Sequence, residues 1–227
     1  MLPSELKLLP RIAKLFRGAE VACSVDQVPS GLDTLPIAAV VRHEAGHAIA
    51  AYQCGGRASR IVFGTTPRGH HYGRASWEVP PDEHRYLLVL SAGPLALLLH
   101  DRPSAQSFRD FLEWVATEDG HLKAISGASD WIEILRRTHQ PKGYGIDDFL
   151  GRAVEPYFTE TWQLLDHARD QLDGLTDLLL AHPPGLGPRA LKRFFAGKSP
   201  SLWATRIDRV GVRWASAREK RAADLKA

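Results

Sequence analysis

The segment from Ile37 to Cys54 constrains the fold of this chain more than any other stretch. It is strongly apolar and rich in alanine, it contains no proline, and Gly55 and Gly56 follow it directly. Such a composition is typical of a helix that is buried on most of its surface and ends at glycine. We therefore predict a buried helix over these residues. Any polar side chain within it must find a partner inside the protein, because an unpaired buried polar group is costly.

Three polar residues stand inside this segment, in the sequence His43-Glu44-Ala45-Gly46-His47. In a helix with about 3.6 residues per turn, positions i and i+4 share a face, so both imidazoles can reach one ion. Neutral imidazoles suit zinc, and a catalytic zinc site has three protein ligands and a fourth position for water. Glu44 is placed to take a proton from that water and to protonate a leaving amine. We therefore predict zinc ligands at His43 and His47 and a general base at Glu44.

The same motif also allows a structural interpretation, in which two core histidines match the pattern by chance. The apolar flanks argue against this, because burying two imidazoles and a carboxylate without partners costs on the order of kcal/mol each. A metal ion would remove that cost. The third ligand stays open at this point, since Asp, Glu and His can all bind zinc. The motif is not that of a metzincin, because Ala50 and Gln53 stand where that class has glycine and histidine.

The rest of the chain has the pattern of a mostly helical protein with one small sheet. Two segments rich in β-branched and aromatic residues, 58–64 and 72–79, flank a turn and predict a hairpin. Helical spacing of apolar residues predicts helices over 83–100, 104–117, 130–139 and 188–196, and one long helix from 155 to the prolines at 183 and 184. The predicted fold is mainly α (α+β), with the small β element beside the helix that carries the motif.

Composition excludes several classes of protein. Of 227 residues, 44% are hydrophobic and 24% are charged, which is near the average for globular proteins. The longest apolar run, residues 86–99, is shorter than the roughly 20 residues of a membrane span. Two cysteines are too few for a disulfide framework, and charges scattered through the first 20 residues do not fit a secretory signal. We therefore expect no transmembrane segment and a cytoplasmic location.

The C-terminal residues differ from the rest of the chain in charge. Residues 196–227 hold eight Lys or Arg against three Asp or Glu, whereas the net charge of the whole chain is only +3. A basic amphipathic helix can bind nucleic acid or an anionic membrane, but a solvated face on a docked helix is the commoner explanation. No zinc-finger or RNA-binding signature is present, so we expect no nucleic-acid partner.

Four features of the sequence occur together: the His-Glu-Ala-Gly-His form of the motif, the segment at 60–74, Ala92-Gly93 within an apolar helix, and Gly127-Ala128-Ser129 before an acidic residue. In these features the chain resembles the M41 peptidases, the zinc-protease domain of FtsH-type AAA proteases. The resemblance divides the chain into an N-terminal extension at 1–35, an M41-like zinc-peptidase domain at 36–195 and a basic C-terminal tail at 196–227. It implies hydrolysis of peptide bonds in flexible or unfolded protein segments.

The resemblance also implies a third zinc ligand at Asp130, because the family's aspartate ligand lies at the start of a helix just after a Gly-Ala-Ser turn. Taken alone, Asp130 fits a helix N-cap equally well, and Glu118 and Asp119 are the reserve candidates. The 227 residues contain no Gly-x-x-x-x-Gly-Lys-Ser/Thr loop, so no ATPase is expected within them. We therefore expect an ATP-independent peptidase, or one that depends on an AAA unfoldase supplied in trans.

Two alternatives remain open. The first is a binding or regulatory module that keeps the fold without cleaving, although an intact Glu44 argues against it. The second is a zinc peptidase of another clan that uses a glutamate ligand such as Glu118. A peptide or protein substrate is the expected partner of the peptidases, and residues 60–64 are a candidate edge strand for pairing with its backbone. The oligomeric state stays open.

Overall fold

The computed structural model describes residues 35–105, 107–115, 117, 119–120, 123, 128–138 and 155–200. The helices and strands bounded within them are, in chain order, α1 Ile37–Gln53, β1 Arg57–Thr65, β2 His71–Glu78, α2 Glu83–Asp101, α3 Phe108–Val115, α4 Ala128–Arg137, α5 Glu155–His167, α6 Arg169–Leu180, β3 Gly185–Leu186 and α7 Pro188–Phe195. The architecture is mainly helical with a small antiparallel sheet, which confirms the predicted α+β class. None of the helices described has both the length and the hydropathy needed to cross a bilayer.

Helix α1 is the centre of the fold, as predicted for residues 37–54. It packs against α2 on one side, against β1 and β2 on another, and against α5 and α6. Its closest neighbour is α2, and the approach depends on small residues: a Cβ added to Gly46 would lie 2.6 Å from the Ala92 carbonyl oxygen and 2.7 Å from Ala96 Cβ. The two helices can cross at this distance because glycine and alanine leave room for the opposing backbone.

A buried arginine ties α1 to two of its neighbours. The Arg42 side chain is 9% exposed, and its Nη1 lies 2.8 Å from Asp173 Oδ1 on α6. Its Nε donates a hydrogen bond of 3.0 Å to the Ala96 carbonyl on α2. Since Arg42 directly precedes His43, these contacts constrain the rotation of α1 about its axis, and with it the direction in which the motif points.

The hairpin forms as predicted, but the position of its strands differs from one expectation. The sheet has the order β2-β1-β3, so β1 is the central strand. It pairs with β2 along its length, and Ile61 and Val62 also pair with β3. The expectation that residues 60–64 form an edge strand was therefore wrong. The short β3 covers that edge, and β2 is the strand that lies at the edge nearest α1.

The predicted long helix from residue 155 is also wrong, because the chain forms two helices there. They are separated at Ala168, where φ is −98° and ψ is 19°. Nothing in the sequence marks the break, since alanine is the strongest helix former. The other predicted helices, over 83–100, 104–117, 130–139 and 188–196, correspond to α2, α3, α4 and α7 with shifted ends. The N-terminal extension up to residue 34 and the tail from residue 201 lie outside the described residues.

Candidate metal centre

Three side chains from two helices converge at one point. His43 and His47 lie one turn apart on α1, and Asp130 is the third residue of α4. The two Nε2 atoms are 3.1 Å apart, and Asp130 Oδ2 lies 3.0 Å from His43 Nε2 and 3.3 Å from His47 Nε2. Within the described part of the chain, this is the group of His, Cys, Asp and Glu side chains that could hold a metal ion.

The size of this triangle fits zinc. With zinc–ligand bonds of roughly 2.0 to 2.1 Å, two ligand atoms of a tetrahedral site lie about 3.3 to 3.5 Å apart. The three observed separations of 3.0, 3.1 and 3.3 Å are at or just below that range. The three atoms therefore resemble one face of a tetrahedron, and a movement of a few tenths of an ångström is enough for them to bind one ion.

The chemistry of the three atoms also points to a cation. A carboxylate oxygen and an unprotonated imidazole nitrogen each present a lone pair and repel one another unless a proton or a metal lies between them. All three side chains are largely removed from water, at 8%, 5% and 15% exposure for His43, His47 and Asp130. Such a cluster is stabilised by a bound positive charge, which a divalent metal supplies without a proton.

The electrostatics of the cluster favour the same positive charge, as the pKa values of two of its groups indicate. Burial lowers the pKa of His47, but the negative charge of Asp130, its hydrogen bond and the charge of Glu44 outweigh burial and raise it well above the ordinary value. Burial likewise raises the pKa of Asp130, but the charge of His47 and hydrogen bonds to both imidazoles outweigh it and hold that pKa well below the ordinary value. The protein thus favours a carboxylate facing a cation at this point.

The ring of His47 is oriented by the neighbouring helix. Its Nδ1 donates a hydrogen bond of 2.7 Å to the Val89 carbonyl oxygen on α2. A carbonyl can only accept, so the proton is on Nδ1 and Nε2 is free to bind a metal whenever the ring is neutral. The indole of Trp77 stacks against this ring, with 6.5 Å between the centroids. By contrast, His43 Nδ1 is buried and has no hydrogen-bond partner among the described residues.

Glu44 faces the sheet rather than α2. Its Oε2 accepts a hydrogen bond of 2.5 Å from the Ala75 N–H on β2. A Cβ added to Gly73 would lie 2.6 Å from Glu44 Cγ and 2.8 Å from Oε1, so the carboxylate is seated against a strand that has no side chain there. The charge of Glu44 is close enough to the cluster to raise the pKa of His47. Glu44 is therefore held beside the candidate ligands.

The structure brings together the four residues singled out from the sequence. Asp130 lies within the first turn of α4 with its carboxylate against the imidazoles, so it does not serve as the N-cap that the sequence also allowed. The reserve candidate Asp119 is 70% exposed and forms an ion pair of 2.7 Å with Lys123, away from the cluster. The other reserve, Glu118, lies outside the described residues.

Sequence reasoning missed the groups that support the site. The Val89 carbonyl and the Ala75 amide belong to the backbone, so their residue types carry no signal. Gly93 was noted only as part of a family resemblance, yet a Cβ at that position would lie 2.5 Å from His43 Nε2 and 2.6 Å from His47 Nε2. The alternation of β2 could have identified Trp77 as an inward-facing residue, but nothing indicated which inward side chain lies over the motif.

A cleft of about 390 Å³ lies beyond Trp77. Trp77 packs against Tyr86, with 4.9 Å between ring centroids, and the Arg137 guanidinium lies 3.8 Å from the Tyr86 centroid. Arg137 is seven residues after Asp130, so both lie on the same face of α4. The cleft is thus lined by the end of β2, the start of α2 and Arg137 of α4.

Comparison with known proteins adds no further assignment. A scan against protein-family models finds no match to this chain, and a search of the curated proteins finds none either.

Proposed function

We propose that this chain is a zinc-dependent, M41-like endopeptidase that cleaves flexible or unfolded protein segments without ATP. The observation that carries the proposal is the triangle of His43 Nε2, His47 Nε2 and Asp130 Oδ2, with Glu44 beside it. Two imidazoles and a carboxylate are a typical ligand set for catalytic zinc, which leaves one coordination position open. A glutamate next to the first histidine is the usual general base of such sites.

Each residue of the cluster has a distinct task in this proposal. His43, His47 and Asp130 would hold the ion. Zinc, when bound, lowers the pKa of a water molecule in its open position from about 15.7 towards about 7 and polarises the scissile carbonyl. Because Glu44 Oε2 accepts the Ala75 N–H, Oε1 is the oxygen that remains to take a proton from the attacking water.

Hydrolysis forms one bond, breaks another and moves one proton. The water oxygen forms a bond to the acyl carbon, and the bond between that carbon and the amide nitrogen breaks. Glu44 delivers the proton it has taken to the leaving nitrogen, so the products are a carboxylic acid and an amine. One carboxylate thus acts first as a base and then as an acid, and it is regenerated at the end.

The edge strand β2 is the element that would hold the substrate. The Ala75 N–H points away from β1, because it donates to Glu44. Gly73, two residues earlier, presents its backbone to the same side of β2. Its partner on β1 is Phe63, whose N–H donates a hydrogen bond to the Pro184 carbonyl on the other side of β1. An extended peptide added along this edge would place its backbone next to the metal cluster. A segment must be unfolded to bind in this way, which supports the proposed substrate class.

The sequence also bears on how substrates would reach the site and on where the protein would act. Within these 227 residues there is no phosphate-binding loop of an ATPase, so we propose that substrates are already unfolded or are delivered by an AAA unfoldase in trans. The two cysteines, of which Cys54 is a buried free thiol, support a cytoplasmic location.

The test combines metal analysis with one isosteric substitution. Purified protein should hold about one zinc per chain and digest unfolded casein. Glu44→Gln should keep its zinc, because Glu44 is not a ligand, while its cleavage rate falls at least about 100-fold, the usual contribution of a general base. Glu113→Gln is the matched control, since Glu113 lies on α3, is exposed and is paired with Arg109; it should cleave at the parent rate.

Two outcomes would contradict the proposal. Protein that refuses zinc has no metal centre, and Glu44→Gln protein that cleaves as fast as the parent does not use Glu44 as its base. Zinc-loaded protein that cleaves nothing would favour the alternative of a binding or regulatory module with a retained metal site.

A further inference from the structure

Gly93 occupies the position on α2 that faces both candidate metal ligands. A Cβ added there would lie 2.5 Å from His43 Nε2, 2.6 Å from His47 Nε2 and 2.7 Å from His43 Cε1. Separations below 3.0 Å are essentially never found for a Cβ atom. Any side chain at position 93 would therefore compete for space with the two nitrogen atoms that define the metal cluster.

The imidazoles have little freedom to avoid such a side chain. The side chains of His43 and His47 are only 8% and 5% exposed, so both rings are enclosed by protein. The hydrogen bond from His47 Nδ1 to the Val89 carbonyl fixes one ring, and the two rings contact each other edge to face with 4.8 Å between centroids. A methyl group on Gly93 would have to displace at least one Nε2 from the triangle.

Helix stability alone does not favour glycine at this position. Glycine in a helix interior is about 1 kcal/mol less favourable than alanine, and the next residue, Pro94, also disfavours a helix. Both lie in the middle of α2, a helix that is otherwise rich in leucine. Gly93 therefore lowers the stability of α2 at the position that faces the two imidazoles, which indicates that the space there has a use.

We propose that Gly93 is a positioning residue of the metal centre: its missing side chain allows His43 Nε2 and His47 Nε2 to approach one ion together. The inference deepens the proposed function, because it concerns the same site. Helix α2 would then support the site in two ways: the Val89 carbonyl orients the His47 ring, and Gly93 leaves space for both Nε2 atoms. Neither role depends on which substrate is cleaved.

The first experiment measures zinc affinity by competition with a chromophoric chelator. Gly93→Ala should lose at least about 100-fold in affinity, the upper end of the effect of residues that orient metal ligands. An affinity equal to that of the parent would overturn the proposal, because the methyl would then fit beside both ligand atoms.

The second experiment separates this effect from general damage to the packing of α1 against α2. The urea midpoint of metal-free protein is measured for Gly93→Ala in the parent and in a His43→Ala/His47→Ala background. In the parent we expect a large fall of the midpoint or no folding at all. In the background without imidazoles the fall should largely disappear, because the atoms that the methyl would meet are gone and alanine is the better helix former.

Gly46→Ala is the matched control, since its Cβ would meet Ala92 and Ala96 at 2.6 and 2.7 Å in the same helix pair. Its fall in midpoint should be the same with and without the imidazoles. If Gly93→Ala behaves like Gly46→Ala, or fails to fold in both backgrounds, Gly93 serves packing and the proposal is wrong. The urea measurements need neither metal nor cleavage. A protein without peptidase activity would therefore refute the proposed function, while the urea midpoints would still decide the role of Gly93.

Discussion

Both flanks of helix α1 hold the candidate site through a backbone group, but this group is a hydrogen-bond acceptor on one flank and a donor on the other. On the α2 flank, a backbone carbonyl, that of Val89, accepts a proton from an imidazole and leaves its other nitrogen for a metal. On the sheet flank, a backbone amide, that of Ala75, donates to the Glu44 carboxylate. Each flank also has a glycine, Gly93 or Gly73, where a side chain would collide with the functional group.

The difference between the flanks shows how one helix can present two kinds of chemistry. A carbonyl partner keeps a proton on Nδ1 and leaves Nε2 as the nitrogen that can bind a metal, whereas an amide partner holds one carboxylate oxygen and leaves the other for a reaction. The neighbours of α1 thus give different partners to Glu44 and His47, which stand only three positions apart in the sequence. We expect substitutions on the α2 flank to change metal binding and substitutions on the sheet flank to change turnover.

The largest effect should come from removing Asp130, the third candidate ligand. Asp130→Ala should reduce zinc affinity by more than the 10- to 100-fold typical of residues that merely orient ligands, because it removes a bond and leaves two imidazoles without their counter-charge. Isothermal titration with zinc measures this. Asp119→Ala is the control, since that carboxylate is exposed and bonded to Lys123. Equal affinity in both variants would move the third ligand elsewhere.

A smaller effect, on turnover alone, should follow from a change on the sheet flank. Gly73→Ala places a methyl group 2.6 Å from Glu44 Cγ and 2.8 Å from Oε1, and the flexible carboxylate can shift to avoid it. We expect cleavage of unfolded casein to fall roughly 10- to 100-fold, part of what a positioned base contributes, with zinc affinity within a few-fold of the parent. Loss of zinc from this variant would break the distinction between the flanks.

The smallest effect concerns Cys54, the residue that follows the last turn of α1. Cys54 is 0% exposed, and burial raises the pKa of its thiol to about 12, from a value of 9.0 when unperturbed. Native Cys23→Ser protein should therefore react with a thiol reagent at pH 8 far more slowly than the same protein in urea. Rapid labelling of the native protein would show that the end of α1 opens.

The same shift gives a pH dependence of stability with a definite sign. Because the thiol pKa is higher in the folded state, the unfolded state loses its proton first as the pH rises. The contribution of Cys54 is fully present below about pH 9 and decreases between about pH 9 and pH 12. A Cys54→Ala variant should lack this part of the decrease in the free energy of unfolding.

The sequence alone predicts the features that depend on the spacing of residues within a short segment. The helix over residues 37–54, the hairpin and the shared face of His43 and His47 all follow from periodicity within a single segment. Asp130 could be reached only through a family resemblance, because it approaches His43 across 87 positions of the chain. No local pattern encodes which aspartate of a later helix meets a given pair of histidines.

The features that could not be predicted from the sequence are those that depend on contacts between separate helices and strands. Strand β1 is central because Gly185 and Leu186 pair with it, and a two-residue strand has no detectable alternation. The break between α5 and α6 occurs at Ala168, where the helical pattern of apolar residues continues unchanged. The backbone partners of Glu44 and His47 are of the same kind, since a carbonyl or an amide acquires its role from where the fold places it.

We propose above all that α1 and α4 together bind one zinc ion through two imidazoles and one carboxylate. X-ray absorption at the zinc edge of the loaded protein tests it most directly, by counting the ligand atoms and identifying their type. We predict a shell of nitrogen and oxygen atoms at roughly 2.0 to 2.2 Å with the multiple-scattering signature of two imidazoles, unchanged in Glu44→Gln. A sulfur ligand, or a shell with no imidazole, would contradict the claim.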